Sequence, residues 1–229
     1  MTATTNNSDS TLNVLFIGNS FTARYDLPNL IACLAAARGK RLEHKLISAG
    51  GASLRMHWNK GGAQLAISTG DYDYVVLQEQ STLPVKNATR MHENVRLFDE
   101  SIKAFGAKTV LYMTWARKHE PQNQALITAA YESIGKELGA TVIPVGAAWE
   151  QCLASPDCPP LHDPDNSHPS QAGSYLAASV FLSVFYNESP EGISTAVNGL
   201  SKQDMSFLQR QAWQAVSSGT QQIDRRKHV

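Results

Sequence analysis

A three-layer α/β/α sandwich built on a parallel sheet is the fold this sequence predicts, on three observations. Short runs rich in β-branched residues alternate with longer stretches of helical periodicity. Each stretch between runs is long enough for a crossover helix, which parallel neighbours require and which is almost always right-handed. The chain has 229 residues, 42% of them hydrophobic, enough for one sizeable core.

The elements follow in order. Strands are predicted at Leu12–Ile17, Leu42–Ile47, Tyr74–Leu77, Thr109–Met113 and Thr141–Val145, each a compact apolar run. Helical periodicity covers Pro28–Arg38, Ala63–Thr69, Thr89–Phe105 and Gln122–Leu138, each ending near Gly or a turn. Ser170 is a suitable N-cap for a helix over Gln171–Tyr186, and a last helix is expected over Ser201–Ser218. We read residues 11–220 as a single domain, 1–10 as a disordered leader and 221–229 as a flexible tail. Open α/β sheets bind ligands beyond the carboxyl ends of their strands, and Ser20, Gly51, Gln80, Trp115 and the segment after Val145 all fall there.

Two segments carry the chemistry. Val14–Ile17 stops at Gly18-Asn19-Ser20, which sets a hydroxyl at the mouth of a strand. A serine is a weak nucleophile at neutral pH and needs a base and oxyanion donors. Near the other end, Asp165 precedes His168 by three residues, close enough to hold one imidazole nitrogen while the other faces Ser20. The rival readings are local. Ser20 could cap the helix that follows, His168 could be a turn histidine, and Asp163 could replace Asp165 as the orienting carboxylate.

Together these segments resemble the SGNH hydrolase superfamily, the GDSL-like esterases, and specifically a divergent branch with Gly-Asn-Ser-Phe and Gln-Glu-x-Ser blocks. The resemblance implies a flavodoxin-like five-stranded sheet of order 2-1-3-4-5, with Ser20, His168 and Asp165 as the triad. Asn19 stands where Asp is commoner in the family. A second block, Ser48-Ala49-Gly50-Gly51-Ala52-Ser53, matches the one that supplies a backbone N–H to the oxyanion. The third block departs: Gln78-Glu79-Gln80-Ser81 replaces Gly-x-Asn-Asp, so the usual asparagine amide is missing, and Gln80 is the replacement donor we assign. The expected oxyanion hole is thus Ser20, Gly51 and Gln80. Asn166 occupies a position that is often Gly in the family, and Asn tolerates a left-handed backbone best among the other residues.

The resemblance and the residues together imply a serine esterase that removes a short acyl group, acetyl by expectation, from a small or carbohydrate-like substrate. No cofactor is required. Tyr25, His57 and Trp115 are the expected substrate-binding side chains, near Asp26, Arg55, Trp58, Arg117 and His119, because aromatic faces with polar neighbours suit a sugar ring. The alternatives are an SGNH-fold binding protein with impaired catalysis or a metal-dependent phosphoesterase. His162, Asp163, Asp165 and His168 have metal-ligating chemistry, but the other strand ends offer Ser20, Gln78 and Gln80 rather than Asp or His.

Composition narrows the partners. Twenty acidic and twenty basic residues give no electrostatic case for nucleic acid or an anionic membrane. The polar first ten residues lack an apolar targeting core, so a cytoplasmic protein acting on a small-molecule ester is expected, with the oligomeric state open. Cys33 reads as a small buried side chain. Cys152 and Cys158 could close a loop as a disulfide where conditions are oxidising.

Overall fold

The structure is a computed structural model and describes residues 11–218. The expected leader and tail lie outside the described residues. Five strands, β1 (Leu12–Gly18), β2 (Leu42–Ser48), β3 (Tyr74–Leu77), β4 (Lys108–Tyr112) and β5 (Thr141–Ile143), form one sheet in the order β2-β1-β3-β4-β5. All four pairings are parallel. This is the topology the resemblance implied.

Helices cover both faces. In chain order they are α1 (Ser20–Ala23), α2 (Leu27–Ala37), α3 (Leu54–Lys60), α4 (Gly62–Thr69), α5 (Leu83–Lys86), α6 (Ala88–Ala104), α7 (Gln124–Leu138), α8 (Val145–Leu153), α9 (Gln171–Tyr186) and α10 (Lys202–Ser217). Side chains alternate across each strand, so the sheet divides the core in two. Val14, Phe16, Tyr74, Val76, Val110, Tyr112 and Ile143 meet α2, α8, α9 and α10. Leu15, Ile17, Val75, Leu77, Leu111 and Val142 meet α3, α4, α6 and α7. Helix α9 is buried from Ala172 to Tyr186, because α10 covers the side that the sheet does not. Its N-terminus is capped by Ser170, whose Oγ accepts the Gly173 N–H.

Two expectations are corrected, the end of the last strand and the burial of Cys33. The last strand stops at Ile143, because Pro144 has no N–H for the ladder and Val145 opens a helix. That helix, α8, buries Val145, Ala148, Trp149 and Cys152, an i, i+3, i+4, i+7 stripe present in the sequence. Cys33 is exposed, since α2 turns Leu27, Ile31, Leu34 and Ala35 inward and Cys33 falls on the opposite side. Cys152 and Cys158 are both free, Cys152 buried and Cys158 half-buried. No described helix is long and apolar enough to cross a membrane.

Candidate active site

The turn after β1 is held from four directions. Asn19 is the N-cap of α1, and its Oδ1 accepts the Phe21 N–H at 3.0 Å. The Asn19 N–H donates to Gln78 Oε1 at 2.8 Å, and Thr22 Oγ1 donates to the same oxygen at 3.0 Å. Asn19 Nδ2 donates to the Ala52 carbonyl at 3.0 Å, joining the first block to the second. An aspartate could cap the helix but could not make this last bond, which is a physical reason for the amide. Gly18 is required by close approach: a Cβ there would sit 2.6 Å from both Gln78 Oε1 and Thr22 Oγ1.

Asn19 therefore does the capping, and Ser20 is left with its hydroxyl free of that task. Ser20 Oγ lies 2.8 Å from His168 Nε2. His168 Nδ1 lies 2.5 Å from Asp165 Oδ2. Asp165 Oδ1 also accepts the backbone N–H groups of Ser167 and His168, at 3.0 and 2.9 Å. Burial raises the Asp165 pKa, but the bonds from the His168 ring, the His168 N–H and the Ser167 N–H outweigh it. The carboxyl sits well below the usual carboxylate range and is ionised at neutral pH.

The loop that carries these two residues is folded on itself and pinned to β4's exit. Asn166 has φ +59°, the left-handed conformation its residue type tolerates. The Asp163 N–H donates to the His168 carbonyl at 2.8 Å, and His162 and Pro169 form an antiparallel bridge. Trp115 Nε1 donates to the Ser167 carbonyl at 3.1 Å, and His162 Nε2 donates to the Ala116 carbonyl at 3.1 Å. Asp163, the rival to Asp165, is engaged elsewhere, with Arg24 and with the Tyr25 hydroxyl. Among the described residues no group of three or more His, Cys, Asp or Glu is arranged to hold a metal ion.

One expected substrate-binding residue is corrected, and another is set deep. His57 is buried and donates from Nε2 to the Gly18 carbonyl at 2.7 Å, so it props the serine turn from below. Burial pushes its pKa down, against the pull of that bond, and the ring is neutral. Trp115 is buried too, stacked on Trp149 at 3.8 Å and on Phe21 at 5.0 Å. An aromatic ring at a strand's carboxyl end reads the same in sequence whether it lines a site or supports one. Tyr25 is exposed, with φ +52°, at the rim beside Asp163.

The oxyanion candidates divide by hydrogen bonding. The Ser20 N–H, at the first position of α1, and the Gly51 N–H donate to no protein acceptor among the described residues. Gly51 is the third residue of a turn closed by Ala52 N–H to the Ala49 carbonyl, and its φ of +64° is what a type II turn demands. Gln78 is fully buried and spends both ends of its amide, on Asn19 and Thr22 and on the Glu79 carbonyl. Gln80 Oε1 accepts from the Thr82 N–H and hydroxyl, at 3.0 and 2.9 Å, which leaves Nε2 as an uncommitted donor.

A buried acid at the end of β3 sits behind this layer. Glu79, fully buried, accepts from the Leu54 N–H at 2.9 Å, the Gln80 N–H at 2.7 Å and Asn94 Nδ2 at 2.8 Å. Arg55 Nε then donates to Asn94 Oδ1 at 2.9 Å. The start of α3, the exit of β3 and the middle of α6 are fastened through one carboxylate.

No family model matches this sequence, and no curated protein does. Solved structures do. A protein from Slackia heliotrinireducens, provisionally described as an SGNH hydrolase, is 28% identical over 77% of this chain and 100% of its own, with a TM-score of 0.65. A DUF4886 family protein from Bacteroides uniformis superposes over 91% of this chain and 95% of its own, at TM-score 0.74 and 19% identity. An acetylxylan esterase from Geobacillus stearothermophilus, Axe2, covers 76% of this chain and 93% of its own, at TM-score 0.59 and 16% identity. The sheet order that the resemblance implied is thus present in this chain, and its likeness to these proteins supports the SGNH hydrolase superfamily.

Proposed function

We propose that this hydrolase is a serine esterase that cleaves short acyl esters, acetyl by preference, of a small or carbohydrate-like substrate. The observation that carries the reading is the unbroken chain of contacts Ser20 Oγ, His168 Nε2, His168 Nδ1 and Asp165 Oδ2. In this reading Ser20 Oγ attacks the ester carbonyl while His168 Nε2 takes its proton. His168 returns that proton to the departing alkoxide, leaving an acyl-enzyme on Ser20. Water, deprotonated by His168, then releases the carboxylic acid and restores the serine. Asp165, held ionised, fixes the tautomer with the proton on Nδ1 and stabilises the imidazolium. Phe21, buried and backed by the buried Trp115, packs on the His168 ring and gives the site an apolar flank, which favours a short acyl group. The test is release of p-nitrophenol from the acetyl, butyryl and octanoyl esters: the highest kcat/KM is expected for acetyl. A chain that binds but turns over none of them would leave the impaired-catalysis alternative.

The oxyanion in this mechanism is held by the backbone N–H groups of Ser20 and Gly51, with Gln80 Nε2 as the third donor. Gln80→Ala is then expected to lower kcat by roughly 10²-fold with little change in KM, because a donor aimed at the developing charge acts mainly in the transition state. Steady-state kinetics with the acetyl ester check it; an unchanged kcat would leave two backbone donors as the whole hole.

A further inference from the structure

A cavity of about 190 Å³ opens between the loops that follow β3 and β4, lined by Thr82, Lys86, Trp115, Arg117, Glu120 and Asn123 among others. It adjoins the triad. Trp115, one of its walls, stacks on Phe21 next to Ser20 and donates to Ser167 next to His168. The backbone on both sides of Arg117 is tied to the histidine loop, by the Ala116 carbonyl to His162 and by the Lys118 N–H to the Asn166 carbonyl at 3.0 Å.

Arg117 itself is unspent. Its Nε is buried with no hydrogen-bond partner, and its guanidinium is in no ion pair among the described residues. The carboxylate nearest in sequence, Glu120, accepts instead from Asn123 Nδ2 at 3.2 Å. A half-buried guanidinium fixed beside a catalytic loop and left unpaired is costly unless something else supplies the acceptor. Its planar fork suits a carboxylate or phosphate. Lys86, on α5 across the cavity, adds a second cation.

We propose that Arg117, assisted by Lys86, binds an anionic substituent of the substrate. Since the acyl group is short, the anion belongs to the alcohol portion: the substrate is an acylated hydroxy-carboxylate or phosphorylated alcohol. This rests on the esterase reading above. Three phenyl acetates separate the cases: 4-acetoxybenzoate, 4-acetoxyphenyl phosphate and the neutral methyl 4-acetoxybenzoate, each followed by release of its phenol. The ratio of kcat/KM for an anionic over the neutral ester is expected to exceed one and to fall roughly tenfold or more in Arg117→Gln, the size of a lost charge-assisted hydrogen bond. Lys86→Gln should lower the same ratio less, and Arg117→Lys should recover part of it. Whichever anion loses more on Arg117→Gln, carboxylate or phosphate, identifies the group. A ratio of one in the unaltered enzyme, or a ratio unmoved by Arg117→Gln, overturns the proposal. Calorimetric binding of benzoate and phenyl phosphate to Ser20→Ala reads the same site without turnover. If no acetyl ester is cleaved, the esterase reading falls alone: binding abolished by adding Arg117→Gln upholds the anion site, and binding retained overturns it.

Discussion

Ser20→Ala is expected to lower the hydrolysis of p-nitrophenyl acetate by roughly 10⁴-fold or more and to shift the melting temperature by no more than about 2 °C. The two halves have separate causes. In the proposed mechanism the hydroxyl is the atom that forms the acyl-enzyme, and removing any triad member leaves only what binding and the oxyanion donors supply. The fold does not use it. Asn19, not Ser20, caps α1, and the turn is held by Gln78, Ala52 and His57 through groups that the substitution leaves in place. An organophosphate should label Ser20 in the native protein and label nothing in Ser20→Ala, as read by peptide mass spectrometry. Label on Ser53, Ser81 or Ser167 would remove Ser20 from the mechanism.

The strands were legible because each is an apolar run long enough to cross a buried sheet, and only the run's ends moved. Val145 was read as strand because its apolar neighbours continue past Pro144, where the missing N–H in fact ends the ladder. Helices α1, α3 and α5 went unread for a different reason: four to seven residues give too few turns for periodicity to register. The serine and the Asp-x-x-His segment were legible as a pair, since their chemistry is incomplete apart. What surrounds them was not. The bonds that fix Ser20's turn join Asn19 to Ala52 and Gln78, and His57 to Gly18, across sequence separations of 33 to 59 residues. No local pattern encodes such partners. For the same reason the sequence reads His57 as a pocket residue: residue type gives an inclination to bind, while depth is decided by the packing of α3.

Glu79 is where this hidden layer should be most costly to disturb. Glu79→Ala is expected to destabilise the protein by about 3 kcal/mol or more, because the Leu54 and Gln80 N–H groups and Asn94 Nδ2 lose their acceptor together. For a domain of this size that is a fall in melting temperature of about 6–12 °C. Activity should fall as well, since Gln80 follows Glu79 directly and α3 follows the Gly50-Gly51 turn. A pH series adds a check that a merely spacing-filling side chain would not meet. Burial pushes the Glu79 pKa up, and the bonds from Asn94, Gln80 and Leu54, with the charge of Arg55, pull it only part of the way back. The folded protein therefore keeps its proton on Glu79 over a window that starts at the unfolded value of about 4.3 and ends at the higher folded one. Across that window the unfolded chain has already released the proton. Stability from this group is thus fully present below the window and is lost as pH rises through the folded pKa. Measured by urea unfolding, the stability gap between the unaltered protein and Glu79→Gln, which cannot titrate, should narrow as pH rises through that window. A gap that stays constant or widens with pH would mean that the buried carboxyl is as easily ionised as an exposed one, and that the clamp on α3, β3 and α6 compensates the whole cost of its burial.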